Sequence, residues 1–208
     1  MRKRYLRAVL LLLGVAGIVV YSFYPDIKSA ECFAAKPHSY GEAQVGDNSF
    51  KCILPEENTN CGMTFSFDNN RNWNMMDSLI LHLQSSENFK ELIVQILTYD
   101  PDNRTNKPAL KELNLNSSIK RYSIPMEYFY TPDYWFEQQN AKNTHNARRF
   151  SSVVGLEMYS GWKNPIDEPL ELKLESICAE GLSNSAFVFL VIYIAILITI
   201  AISVRIRY

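Results

Sequence analysis

A period-two alternation of apolar and polar residues runs through the middle of this 208-residue chain. In DSLILHLQS (77–85), Leu79, Leu81 and Leu83 share one face, and Ile80, His82 and Gln84 share the other. In PLELKLESIC (169–178), Leu170, Leu172 and Leu174 oppose Glu171, Lys173 and Glu175. ELIVQILTY (91–99) is apolar on both faces, as an inner strand of a packed sheet is. Successive side chains of a strand point to opposite faces, whereas a helix repeats every 3.6 residues, so these segments predict strands. NSFKCIL (48–54), GMTFSF (62–67), RYSIPM (121–126) and SSVVGLEMYS (151–160) bring the expected count to seven or eight. Turn-forming DNNRNWN, DPDNRTNKP and GWKNPIDEP separate them. No long helical pattern intervenes, and the connections are longer than tight hairpins. The expectation is a mainly β fold, an antiparallel β-sandwich of the jelly-roll kind.

The ends differ in character. Basic MRKRYLR (1–7) precedes an apolar run at 8–24, and a second uncharged run at 186–204 is followed by Arg205 and Arg207. A helix of about 19 residues rises ~28 Å, close to the thickness of a bilayer's hydrocarbon core. Basic residues on the outer side of both runs predict two transmembrane helices, with residues 1–7 and the short tail 205–208 in the cytoplasm. Residues 25–184 would then form an extracytoplasmic domain. The sites where a leader could be cleaved, KSA (28–30) and FAA (33–35), carry Lys and Phe where small residues are wanted, so the first run is expected to stay as an anchor. Gly14, Ala16 and Gly17 would let it pack closely on another helix.

All 22 acidic residues lie between the two runs, with 15 of the 21 basic ones, which leaves the middle near −7 against −1 for the whole chain. That balance offers no electrostatic footprint for nucleic acid. Four cysteines also fall in this middle region: Cys32, Cys52, Cys61 and Cys178. An even count outside the cytoplasm reads as two disulfides, in any of three pairings. Cys52 and Cys61 bracket the turn-rich ILPEENTN, so a local bridge is natural, leaving Cys32 with Cys178 to staple the domain's first and last segments. In chain-entropy terms the larger loop stabilises by about 4–5 kcal/mol. Without a Cys-x-x-Cys spacing or a neighbouring His, no metal site is expected, and no cofactor motif is present.

The three histidines are scattered, no nucleophile elbow or phosphate-binding glycine loop occurs, and the carboxylate pairs Glu56–Glu57 and Asp100–Asp102 fall in turns. The chain is therefore expected not to be an enzyme. A glycosidase would need two carboxylates facing each other across a cleft. Binding is the better expectation, because jelly rolls present aromatic and polar groups on a sheet face or loop rim. The candidates are His82, Gln95, Tyr99, Arg104, Tyr134, Glu157, Tyr159 and Trp162. His82 and Gln95 sit mid-strand in apolar runs, where a polar group must be hydrogen-bonded or exposed in a groove. Tyr99 shares Gln95's face.

The ordered segments CGMTFSF, DSLILHLQS, ELIVQILTYDPD, KPALKELNLN, YSIPMEYFYTPDYWFEQQN, SSVVGLEMYSG and LELKLESI resemble, over residues 50–205, a group of membrane-anchored bacterial sensors. Those sensors hold a periplasmic galactose-binding-like jelly roll between two transmembrane helices, followed by a cytoplasmic GGDEF diguanylate cyclase. The resemblance implies a two-pass protein of the bacterial inner membrane with its central domain periplasmic. It also implies that Pro125 and Pro132 fix turns, that Phe129 and Trp135 pack on the sheet, and that Tyr134 and Phe136 face outward. No GGDEF motif occurs in these 208 residues. The expected function is therefore a ligand-sensing module, for a small saccharide or a cell-wall-derived ligand. It would relay to a separate or missing output domain through a cytoplasmic or membrane signalling partner, and a homodimer is compatible with it. The alternative is a scaffold of a membrane complex with no small ligand.

Overall fold

A computed structural model describes residues 13, 14, 17, 28–33, 37–57, 59–101, 104–140, 150–182 and 190–198. Eleven strands are described. Sheet A contains β3 (Gln44–Val45), β4 (Ser49–Ile53), β11 (Pro169–Leu182), β6 (Met76–Ser85) and β9 (Arg121–Pro125) in that order, with β1 (Lys28–Phe33) also paired to β11. Sheet B runs β2 (His38–Tyr40), β5 (Gly62–Arg71), β10 (Val153–Ser160), β7 (Glu91–Asp100) and β8 (Thr105–Asn114). From β4 onward the chain changes sheet at every connection except β7 to β8, so the strand neighbours are far apart in sequence. The result is an antiparallel two-sheet sandwich.

The alternation read from the sequence becomes the core. Leu79, Leu81 and Leu83 of β6 and Leu170, Leu172 and Leu174 of β11 meet Leu92, Val94 and Ile96 of β7 and Met63 and Phe65 of β5 between the sheets. Trp73, Phe50, Phe89 and Phe129 are among the largest fully buried side chains. Phe129 packs edge-on against Phe150 with ring centroids 6.4 Å apart, so it belongs to the core wall. In β11 the buried positions shift from Leu170, Leu172 and Leu174 to Ile177 and Ala179. The alternation slips by one residue around Ser176, which a strict period of two does not show.

Both disulfides form as paired in the sequence reading, Cys32–Cys178 across 146 residues and Cys52–Cys61 across 9. The first joins β1 to β11 within sheet A. The second ties β4 of sheet A to the start of β5 in sheet B.

Two local readings need correction. DPDNRTNKP, read as a turn, gives up Thr105–Pro108 to β8, which pairs with β7 over ten residues from Asp100↔Thr105 to Glu91↔Asn114. Pro108 is tolerated there as a strand residue near the sheet edge, where its missing N–H is not needed by β7. The aromatic stretch contains a 3₁₀ turn (Met126–Tyr128) and a short helix α1 (Asp133–Gln138). Trp135 is buried, but it lies over β8 instead of between the sheets: its Nε1 donates to Asn106 O at 3.1 Å. Phe136 does not face outward freely, because it stands edge-on to Trp135 and under the Lys107 ammonium.

The chain divides into two compact units, residues 30–180 and a unit made of residues 1–29 with 181–208. In the second unit the Tyr193 hydroxyl donates to Leu13 O at 2.5 Å, so the two apolar runs meet. The expected two-pass placement in a bacterial inner membrane is overturned: among the described residues no helix is long and apolar enough to cross a membrane. The remainder of the spans placed at 8–24 and 186–204 lies outside the described residues.

Candidate functional site

The outer face of sheet B carries an ordered set of aromatic and polar groups. Register brings His38, Thr64, Glu157, Gln95 and Leu110 into one row across β2, β5, β10, β7 and β8. The next row reads Tyr40, Gly62, Tyr159, Ile93 and Glu112. Tyr130 extends the first row, because its backbone bridges Leu110 beyond the edge of β8. Leu110, Ile93 and Tyr159 bury one another on this face, with Tyr40 packed against them. This cover explains why β7 is apolar on both sides.

Gly62 makes the ring arrangement possible. Tyr40 and Tyr159 are two strands apart, about 9–10 Å by strand spacing. Their rings nevertheless stack at 5.0 Å with a 17° interplanar angle, across the position where Gly62 has no side chain. A Cβ at Gly62 would collide with the Met158 carbonyl oxygen and stand 2.6 Å from Tyr159 Cα.

The polar groups at the centre are hydrogen-bonded to one another. Gln95 Nε2 donates to Glu157 Oε2 at 2.6 Å, and the Tyr159 hydroxyl donates to Gln95 Oε1 at 3.2 Å. At the β8 side the Tyr130 hydroxyl donates to Glu112 Oε1. Burial pushes the Glu157 carboxyl above its ordinary 4.5. Burial, followed by the Glu157 carboxylate, pushes the Tyr134 phenol up. Tyr40 rises through burial, then Glu157 and Tyr134. Tyr159 rises through burial, then Tyr40 and Tyr134, and Tyr130 is pushed up to about 12 by burial and its bond to Glu112. Tyr134 sits at the start of α1 beside Trp135, whose Nε1 reaches Asn106 O of β8, and its phenol feels the Glu157 charge.

Of the eight candidates, four come together here: Gln95, Tyr134, Glu157 and Tyr159. Tyr99 is on the same face of β7 but four residues from Gln95, about 13 Å along the strand. Arg104 lies beyond Tyr99 at the β7–β8 turn, with a left-handed φ of 52°. His82 is on sheet A, paired with Arg121. Trp162, 61% exposed, opens a separate cleft of about 310 Å³ past the end of β10, shared with Glu56, Glu57, Thr59 and Ile166. Its neighbour Asn164 is structural: buried, it accepts from the Lys90 and Glu91 amides and donates to the Glu91 and Gly161 carbonyls. Lys163 closes that corner on the buried Glu91 carboxylate at 2.5 Å.

Sequence reasoning did not name Tyr40, Glu112 or Tyr130. Glu112 and Leu110 share one face in the alternation of PALKELN, a signal that was present. Tyr40 and Tyr130 depend on pairings between distant segments. The two carboxylates, Glu112 and Glu157, project from one sheet with β7 between them, so they do not face each other across a cleft as paired glycosidase acids do. Among the described residues no group of His, Cys, Asp and Glu is arranged to hold a metal.

No family model and no curated protein matches the chain. Solved structures similar to it include the family 11 carbohydrate-binding module of a cellulosomal cellulase of Clostridium thermocellum, 12% identical, covering 76% of this chain and 89% of that one at a TM-score of 0.47. A family 30 carbohydrate-binding module of another cellulase of the same organism is 9% identical, covering 76% and 98%, with a TM-score of 0.47. A low-affinity xylan-binding module of Roseburia intestinalis is 8% identical, covering 77% and 98%, with a TM-score of 0.41. Likenesses this loose carry no weight for what this chain binds. No comparison supports the diguanylate cyclase context implied by the sequence resemblance.

Proposed function

We propose that this protein is a saccharide-binding module whose site is the outer face of sheet B. The observation that carries this reading is the pair of rows described above. The buried Tyr159 ring backs the half-buried Tyr40, whose outer side, with the exposed Tyr130 and Tyr134 rings, offers surface to the C–H face of a sugar. Beside it Gln95, Glu157 and Glu112 offer acceptors and a donor to its hydroxyls. The polar groups are held by one another before a ligand arrives, which lowers the ordering cost of binding. Tyr134 and Tyr130, 50% and 40% exposed, supply accessible rings at the β8 side. A relay to a separate output domain would rest on the sequence resemblance alone and adds nothing to this reading.

The test is calorimetric titration of the full chain, disulfides intact, with a panel of neutral and charged oligosaccharides. Tyr159→Ala and Tyr40→Ala should each weaken the observed binding by about tenfold or more. His82→Ala, on the other sheet, should leave it unchanged. If no oligosaccharide binds and a protein partner copurifies in stoichiometric amount, the scaffold reading replaces this one.

A further inference from the structure

The same face has a charge pattern that a neutral sugar would not fully use. Two carboxylates, Glu157 and Glu112, stand in it among four phenols, Tyr40, Tyr130, Tyr134 and Tyr159. Each carboxylate is hydrogen-bonded by a neutral donor, Gln95 for Glu157 and Tyr130 for Glu112. Among the described residues neither has a lysine or arginine ion-pair partner. No lysine or arginine occupies either row. Lys107 and Lys111 of β8 fall on the positions that alternate with Leu110 and Glu112, and Lys107 is engaged over the Trp135 and Phe136 rings. His38, exposed at the far edge, is separated from Glu157 by Thr64.

A half-buried carboxylate with only neutral donors keeps a strong attraction for a cation, because burial has removed water without supplying a counter-charge. The upward push that burial alone gives Glu157 agrees with this. Tyr40 and Tyr159 stand in the row next to Glu157, and an aromatic quadrupole attracts an ammonium placed over a ring within about 6 Å. We infer that this face selects sugars bearing a free amine, with the ammonium seated between Glu157 and the tyrosine rings. The inference rests on the saccharide reading and narrows it to one class, amino sugars with unacetylated nitrogen.

The experiment compares three hexasaccharides on the full chain at about pH 6, where the sugar amine carries its charge. They are a β-1,4-linked glucosamine hexamer, its N-acetylated counterpart, and a neutral glucose hexamer of the same linkage. The amine-bearing oligomer should bind about tenfold or more tightly than either neutral one, and its affinity should fall as salt rises. Glu157→Gln and, separately, Glu112→Gln should shrink that preference, while Glu171→Gln on sheet A should leave it intact. Using both variants guards against one of them failing to fold. Neutral hexamers binding as tightly as the amine would overturn this inference and leave the saccharide reading standing. A simple polyamine of equal charge binding as tightly would overturn it too, by showing that the face reads charge without sugar. Failure of every hexamer to bind would remove both.

Discussion

The two outer faces of the sandwich are built from the same alternation and have opposite characters. On sheet A, apart from the buried Ile80, several outward positions carry charged and polar groups that pair across strands and stay in water. Lys51 meets Glu171 at 2.8 Å, Gln84 donates to Glu175 at 2.6 Å, and Arg121 stands 3.8 Å from Glu180. On sheet B the outward positions carry tyrosines and a buried glutamine, and the acids find neutral partners. His82 and Gln95 show what separates the two. Each is a polar residue in the middle of an apolar strand, and nothing local distinguishes them. His82 faces Arg121, whereas Gln95 faces Glu157 and Leu110. The cross-strand neighbour decides whether such a residue belongs to a solvated surface or to an enclosed site.

The largest expected effect comes from filling the gap between Tyr40 and Tyr159. In Gly62→Val the new side chain meets backbone, the Met158 carbonyl and Tyr159 Cα, which cannot rotate away. We expect a loss of about 3 kcal/mol, at the upper end for overpacked sites, with the stack broken in whatever fraction folds. Urea unfolding of the full chain measures it. A variant that keeps wild-type stability would mean the two strands tolerate a side chain there, and the account of the stack would have to be abandoned.

A smaller effect, visible only as pH changes, comes from Glu157. Its folded carboxyl titrates above the ordinary 4.5 because burial penalises the charged form. The folded state therefore holds its proton more tightly than the unfolded state does, and unfolding releases it. Stability from this group is fully present below about pH 4.5 and is lost as pH rises through the folded value. Glu157→Gln removes the titration, so the variant's melting temperature should gain on the wild type as pH rises from about 4 toward 7. A difference between the two proteins that stays flat over that window would show that Glu157 is not desolvated.

Much of the sandwich could be read from residues alone because burial on one face writes itself as a period of two. Leu79, Leu81 and Leu83, or Leu170, Leu172 and Leu174, needed no knowledge of their partners. The reading failed where the signal is not periodic. Thr105–Pro108 looks like a turn because Asn and Pro flank it, yet pairing along the whole of β7 holds it extended. The helix at Asp133–Gln138 is too short to show a period, and its direction follows from Trp135 reaching the Asn106 carbonyl. The apolar runs at the ends look long enough to span a bilayer by composition, but among the described residues no helix is long and apolar enough to cross one. At the candidate site, mid-strand polarity marked Gln95, and alternation along its strand pointed to Tyr99, which lies too far from it; Glu157 and Tyr159 entered only as polar and aromatic groups of a neighbouring strand. Tyr40 and Tyr130 escaped, since one is placed by a three-residue edge strand and the other by a single bridge to Leu110. Such placements depend on long-range register, which no window of sequence contains.

The smallest effect is expected on sheet A, and its smallness is what sharpens the contrast. Lys51 and Glu171 are directly opposed residues of β4 and β11, 2.8 Å apart, with side chains 62% and 51% exposed. Water and salt screen such a pair, and two long side chains lose freedom to form it, so Lys51→Ala should cost less than about 1 kcal/mol. Binding of any oligosaccharide should be untouched, because the sandwich core lies between this face and the tyrosine rows. The same truncation at Lys163 is a useful partner measurement. Its ammonium is 63% exposed, but the Glu91 carboxylate that it meets is only 4% exposed, so removing the lysine leaves a buried charge with less to hold it. Lys163→Ala should therefore cost distinctly more than Lys51→Ala, about 1–3 kcal/mol in urea unfolding. Equal losses at the two positions would mean that exposure of the cation alone sets the value of a pair here. The contrast between a solvated face and an enclosed one would then lose its energetic basis.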